Sequence, residues 1–345
     1  MTRTHKIRNF LQDGEGVIIS GYPNIFYYSG FTSEDAVLVI TKDRQILVTD
    51  SRYTVQAKEQ ARDFEIYDIE NGLVPLFGGI KEEVFGFEEN VVTVSQFARF
   101  QKLTKKLVPM SEKLCAPRRV KEECEIKKIS KAEELASSAL LHTLPKIKVG
   151  MTEREIALMI EFYMLKNGAS KTSFETIVAS GVRSAMPHGI ATNKPICEGD
   201  FITIDFGCVL DGYCSDMTRT FVAKKCDSRQ REIYEIVKKA QKAAIEAVTA
   251  GRKCADIDAV SRDIIEAAGY GKNFGHSLGH SVGIEIHEAP NFSPRSQDIT
   301  ELGNIITVEP GIYIEGFGGV RIEDVIVIGE KTRNLTNFTK DLIII

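Results

Sequence analysis

Apolar residues in the first third of the chain fall in short runs separated by polar, turn-forming stretches. GVIIS, AVLVIT, QILVTD, EIYDI and VFGFE are rich in β-branched or aromatic residues, and each is the length of a single strand. Between and after them the spacing predicts helices over residues 51–61 and 93–107, so residues 1–115 read as a small α/β domain. Asp50 and Ser51 can cap the first of these helices, because their side-chain oxygens accept from free backbone N–H groups. Residues 116–128 turn polar and charged around Pro117, which is the composition of a linker.

The remaining residues, 129–345, repeat themselves. At an offset of 101 residues Gly150 maps to Gly251 and Gly168 to Gly269. Each pair brackets an amphipathic segment, MTEREIALMIEFYMLKNG in the first copy and RKCADIDAVSRDIIEAAG in the second. Another helical pattern precedes each, near residues 132–145 and 231–250, and Thr152 with Glu155 forms a capping box. Each copy ends in a hairpin pattern, CEGDFITIDFG to SDMTRTFVA and ELGNIITVEPG to GGVRIEDVIVI. Here the offset is 104, so that Gly199 matches Gly303 and Asp205 matches Glu309. A repeated helix–helix–hairpin unit predicts an α+β domain with internal pseudo-two-fold symmetry and a pocket between its halves.

The hairpins also carry unexpected charge. Asp205 and Asp216 are nearly equidistant from the Asp211-Gly212 turn signal, and Glu309 and Glu323 are equidistant from Gly316, so each pair is expected to face its partner across two strands. Like charges placed so cost a few tenths up to about 1 kcal/mol when exposed, and more when buried. All four sit within or beside apolar alternation such as ITID and IITVE, where a lone charge is costly to bury. Divalent cations remove that cost. Four of the six histidines fall in the same region: His188 in SAMPHG, and His276, His280 and His287 in FGHSLGHSVGIEIHE. His276 and His280 have the spacing of a helical metal pair, but Gly275, Gly279 and Gly283 oppose a helix, and HEAPN is not the HExxH pattern.

Composition narrows the function classes. A chain of 345 residues exceeds the size at which one core stops growing. Its 44 Lys and Arg nearly balance 48 Asp and Glu, which gives no electrostatic footprint for nucleic acid or a membrane surface. The opening MTRTHKIRNF lacks an apolar leader, and no stretch reaches the roughly 18 apolar residues of a spanning helix, so the reading is an untargeted, cytoplasmic protein. Seven cysteines without a CxxC pair suit free thiols in a reducing compartment, with no catalytic role.

DFGCVLDGYCSD, GHSVGIEIHE, VEPG and RIED, in that order, resemble the pita-bread metallopeptidases: aminopeptidase P, proline dipeptidase and methionine aminopeptidase. The resemblance covers the whole second domain and implies a pita-bread fold preceded by a creatinase N-terminal-like domain. It implies five metal ligands, Asp205, Asp216, His280, Glu309 and Glu323, with Asp216 and Glu323 bridging two divalent ions. Such an oxygen-rich site with one imidazole suits Mn²⁺ first, then Co²⁺ or Zn²⁺, and disfavours a closed tetrahedral Zn site. By the same resemblance Glu309 shuttles a proton, His188 and His287 orient substrate, His276 and Tyr313 belong to the pocket, and Arg321 holds a ligand carboxylate. TDSRYTVQA in the first domain resembles aminopeptidase P and proline dipeptidase, whose N-terminal domain helps close the site and supports a homodimer. The expected substrates are proline-containing peptides cleaved between the N-terminal residue and proline. Aminopeptidase P is placed ahead of the dipeptidase; creatinase-type hydrolysis and a non-catalytic binding protein are disfavoured because no ligand is missing.

Overall fold

A computed structural model describes residues 3–345; Met1 and Thr2 lie outside it. The chain divides into two compact units between Arg118 and Arg119. In the first, six strands form one sheet in the order Glu65–Asp68, Gln45–Thr49, Ala36–Thr41, Glu15–Ile19, Val84–Phe87, Lys106–Pro109. The three central strands of the early chain pair antiparallel, and the outer pairings are parallel. Ile18, Val39, Ile46, Val48 and Phe85 pack on Leu76, Phe77 and Phe100, which buries one face of the sheet under helices.

Two local expectations need correction here. The helix expected over 51–61 is Thr54–Gln60, capped by the backbone at Tyr53. Asp50 instead accepts from the Arg52 backbone N–H at 2.9 Å, so its carboxylate closes a local turn and is not available to the helix. The stretch 93–107 divides: a capping box of Thr93 and Gln96 starts helix Val94–Gln101, and Lys106–Pro109 is the sixth strand. Leu107 pairs beside Phe85, and this long-range contact overrides the helical spacing.

The second unit opens with helix Glu123–Thr143, which starts inside the stretch read as linker. Its capping box, Glu122 with Glu125, uses two of the charged residues that gave that stretch a linker composition. The repeat is written into the backbone. Helices Glu153–Lys166 and Cys254–Ala267 are each 14 residues long and start 101 positions apart. Gly150 and Gly251 enter them at φ 93° and 84°, in the left-handed region that only glycine adopts without strain. The Gly150 N–H bonds Ile196 O, and the Gly251 N–H bonds Thr300 O. Ser180 pairs with Ile202 in the first copy as Ser281 pairs with Ile306 in the second, so Ala179 and His280 are equivalent positions. Each copy has its own core, one around Ile156, Ile160 and Phe206, the other around Ile257, Ile265 and Val308. Among the described residues no helix is long and apolar enough to cross a membrane.

Candidate active site

Asp205 lies in strand Phe201–Phe206, whereas the other three hairpin carboxylates lie where strand pairing is interrupted. Asp216 precedes strand Met217–Val222, Glu309 follows Ile305–Val308, and Glu323 separates Gly318–Arg321 from Asp324–Val327. Their backbone N–H groups find partners off the hairpin ladder: Glu133 Oε1 for Asp216 at 2.8 Å, Leu278 O for Glu309 at 2.8 Å and Thr218 O for Glu323 at 3.1 Å. The last of these bonds joins the two hairpins. Thr220 Oγ1 adds a second link by donating to Arg321 O at 3.0 Å.

The two hairpins differ in register from expectation in one case. Val308 faces Asp324 and Gly311 faces Arg321, so the ladders on both sides place Glu309 and Glu323 in the expected opposed positions. In the first hairpin Asp205 faces Thr218, not Asp216. Asp211 and Gly212, at φ 50° and 81°, form the two-residue turn, and Leu210 pairs directly with Tyr213. The hairpin is therefore centred between Asp211 and Gly212, and Asp216 sits diagonal to Asp205. Because side chains alternate with period 2, this shift keeps both carboxylates on one face.

Two glycines permit this convergence. A Cβ on Gly207 would collide with Ser215 O, and one on Gly279 would collide with Thr307 O. Both backbones approach a neighbouring strand beside a site residue, Asp216 in one case and His280 in the other.

Asp205, Asp216, His280, Glu309 and Glu323 all line one cavity of about 570 Å³. His188, His276, His287 and Arg321 line it too, with an apolar side made by Phe174, Ile177, Pro187, Ile190 and Ile286. The His276–His280 segment is extended, with His280 in strand Gly279–Ser281. Tyr313 stands behind the wall: its hydroxyl accepts from Arg321 Nη1 at 2.8 Å and lies 2.9 Å from His276 Nε2. His276 Nδ1 is 2.8 Å from Ser277 O, which can only accept, so Nδ1 carries the proton and Nε2 accepts from Tyr313. Burial pushes His276 down to about 4, consistent with a neutral ring. Arg321 is buried and also donates to Asp205 Oδ2 at 2.6 Å, Thr218 Oγ1 at 3.1 Å and Pro187 O at 3.2 Å.

The donor set fits divalent cations. His280 Nδ1 is 3.2 Å from Ser281 O, which places its proton there and turns the Nε2 lone pair inward. That lone pair faces Asp216 Oδ2 at 3.6 Å and Glu309 Oε1 at 3.5 Å. One ligand atom from each of Asp216, His280 and Glu323 lies within 4.8 Å of the other two. Among the described residues Asp205 Oδ1 and Glu323 Oε1 are buried without any hydrogen-bond partner, although buried acceptors are nearly always satisfied. Burial, reinforced by Glu323, Asp205 and Glu309, pushes the Asp216 carboxyl well up; burial, with Glu309 and Asp205, does the same to Glu323. Burial raises Glu309 to about 8 and, with His287 beside it, lowers His280 to about 4. Carboxylates that resist ionising and an imidazole that resists protonation together make a cavity short of positive charge.

Three participants had gone unnoticed in the sequence. Thr218 donates to Glu323 Oε2 at 2.6 Å, Thr307 donates to Glu309 Oε1 at 3.1 Å, and Glu133 holds the Asp216 N–H. Thr218 and Thr307 each lie two residues from a site carboxylate on a strand, so alternation could have found them. Glu133 is one acidic residue among many on its helix and carries no such signal.

Residues 127–330 match the family model described as metallopeptidase family M24, and residues 3–120 match the creatinase/prolidase N-terminal domain. The chain is 38% identical to the Xaa-Pro dipeptidase of Pyrococcus horikoshii, over 99% of this chain and 98% of that one. Its structure matches the Xaa-Pro dipeptidase from Bacillus anthracis with a TM-score of 0.96 and 38% identity, over 99% of each chain. It also matches the X-Pro aminopeptidase from Thermotoga maritima with a TM-score of 0.93 and 37% identity, over the full length of both.

Proposed function

Because the chain belongs to metallopeptidase family M24, we propose that it is a metal-dependent Xaa-Pro dipeptidase, which hydrolyses the bond between an N-terminal residue and a C-terminal proline. The observation that carries this reading is the convergence of four carboxylates and the His280 lone pair on one cavity, with Asp205 Oδ1 and Glu323 Oε1 left without partners. Relatives named Xaa-Pro dipeptidase, alike over the whole chain, favour the dipeptidase over the aminopeptidase first expected. That order had rested on motifs the two activities share. Aminopeptidase action on longer peptides is the second reading, kept by the likeness to the Thermotoga maritima enzyme.

In this proposal Asp205, Asp216, His280, Glu309 and Glu323 would hold two divalent ions, with Mn²⁺ preferred over Co²⁺ or Zn²⁺. When bound, such a pair makes a nucleophile from water at neutral pH and polarises the scissile carbonyl. Arg321 fixes Asp205, and Thr218 fixes Glu323, by the hydrogen bonds described above. The nitrogen before cleavage is a tertiary amide with no proton of its own, and it leaves as a secondary amine. Glu309 carries a proton to it. His188 and His287, exposed on the cavity wall, orient the substrate and donate to the oxygen that develops charge. The apolar side around Phe174, Ile190 and Ile286 receives the pyrrolidine ring. A cytoplasmic location and a homodimer complete the proposal.

Hydrolysis of an Xaa-Pro dipeptide beside an Xaa-Pro-Xaa peptide, by chelated protein with and without added Mn²⁺ or Co²⁺, tests it. Metal-dependent cleavage of the dipeptide alone is the expected result. Cleavage of the longer peptide moves the assignment to aminopeptidase P, and no turnover of either with any metal refutes both.

A further inference from the structure

A buried side-chain path joins carboxylate-bearing segments from opposite halves of the repeat, and the chemistry above makes no use of it. Asp216 N donates to Glu133 Oε1 at 2.8 Å. Glu133 Oε2 accepts from Thr336 Oγ1 at 3.0 Å, and the same hydroxyl accepts from Val325 N at 2.9 Å. Val325 stands two residues beyond Glu323. Glu133 is fully buried, Thr336 is 5% exposed, and neither lines the cavity. Glu133 comes from the first helix of the second unit and Thr336 from the segment after the last hairpin. That segment is itself anchored, since Leu335 N donates to Val325 O at 2.8 Å and Asn334 Nδ2 to Asp324 Oδ2 at 2.7 Å.

The chemistry of the path permits few substitutes. A backbone N–H at each end can only donate, so the two groups between them must accept at both ends and share one hydrogen; here the first accepts and donates, and the second accepts twice. A hydroxyl and a carboxylate meet those needs in that order. The path thus runs from the strand beyond Glu323 to the backbone of Asp216 without an unmade bond.

From this geometry we infer that Thr336 and Glu133 are positioning residues that set Asp216 relative to Glu323, and through that spacing set the affinity for divalent ions. The inference rests on the metallopeptidase reading above. It distinguishes a hydroxyl acting by hydrogen bonding from one that merely fills space. Thr336→Val keeps the shape and removes the hydroxyl; Thr336→Ser keeps the hydroxyl and removes a methyl group.

The test is calorimetric titration of Mn²⁺ into chelated wild-type protein, Thr336→Val, Thr336→Ser and Glu133→Gln, with thermal melting of each metal-free protein to confirm folding. Partners that orient metal ligands are worth about 10- to 100-fold in metal affinity. Thr336→Val is expected to bind Mn²⁺ at least about 10-fold more weakly, and Thr336→Ser to stay within about 2-fold of wild type. Glu133→Gln keeps volume, but an amide NH₂ facing Thr336 donates to that hydroxyl and leaves the hydroxyl hydrogen without its carboxylate acceptor, so binding is expected to weaken as well. It decides the matter should Thr336→Val not fold. Unchanged Mn²⁺ binding in the folded valine and glutamine variants, or serine as weak as valine, overturns the inference while leaving the peptidase reading intact. Wild-type protein that takes up no divalent ion overturns that reading and the inference with it.

Discussion

Arg321 and Asp205 belong to different copies of the internal repeat, yet Arg321 Nη2 lies 2.6 Å from Asp205 Oδ2. The guanidinium also reaches Thr218 Oγ1, Pro187 O and Tyr313 Oη, so one planar group ties three side chains and a backbone carbonyl together around the cavity. Arg321→Lys keeps the charge and loses the fork. Peptidase activity is expected to fall about 10- to 100-fold, with a smaller loss in melting temperature. Arg321→Ala leaves Asp205 buried beside other carboxylates, and unfolding in denaturant should register a cost of about 3–5 kcal/mol in the metal-free protein.

Removing the Thr218 hydroxyl should act on stability as well as on metal. Thr218 donates to Glu323 Oε2 and accepts from Arg321 Nε. Thr218→Val breaks both bonds in a buried place, and a loss of about 1–3 kcal/mol is expected from chemical denaturation of the chelated protein.

The pH dependence of the metal-free protein has a definite sign. Burial raises Glu309 to about 8, and Asp216 and Glu323 also lie above their ordinary range. Groups raised on folding bind protons more tightly in the folded state, so their contribution is present at low pH and is lost as pH rises through the folded value. His276 and His280, lowered to about 4, lose stability in the opposite direction, but only below their ordinary value near 6.5. Between about pH 6.5 and 8.5 the raised carboxyls act without opposition from these two histidines. Melting temperatures of chelated protein should fall across that window, and saturating Mn²⁺ should flatten the slope. A chelated protein that grows more stable with pH there would contradict this account.

Gly279 predicts a steric effect at the site. A methyl group there meets Thr307 O, between His280 and Glu309. Gly279→Ala should weaken Mn²⁺ uptake even where the protein still folds, as read by metal content after desalting.

In the first unit, Glu88 is a polar residue whose loss should be costly. Its buried carboxylate accepts from Ser20 N, Gly21 N and Asn24 Nδ2, at the start of helix Tyr22–Ser29. Glu88→Ala strands those donors, and about 3 kcal/mol of destabilisation is expected by denaturation.

What the sequence made legible was periodic or punctuated. Alternating apolar runs located the early strands, and the matched glycines exposed the repeat because each marks a backbone turn that other residues resist. The hairpin carboxylates were visible as charges inside apolar alternation. Lys106–Pro109 was hidden by its own helical spacing, since its strand pairing is set by Val84–Phe87 far upstream. Glu133 and Thr336 were out of reach for a related reason. They bond across 203 positions, and neither has a local pattern to distinguish it. The dipeptidase reading likewise depends on likeness along the whole chain, because the ligand motifs are common to both activities.

The repeat leaves one asymmetry with chemical weight. Asp205 and Glu309 are equivalent, so both halves offer oxygen, but His280 stands where the other half has Ala179. On the proposed ligand set, a duplicated scaffold would offer two unlike coordination environments through one side chain. Nitrogen is available on one side only, so two cations held there would differ in affinity, in preferred element and in the order in which they depart. Titration with a chelator should therefore resolve two steps, the first producing a half-loaded protein with its own spectrum.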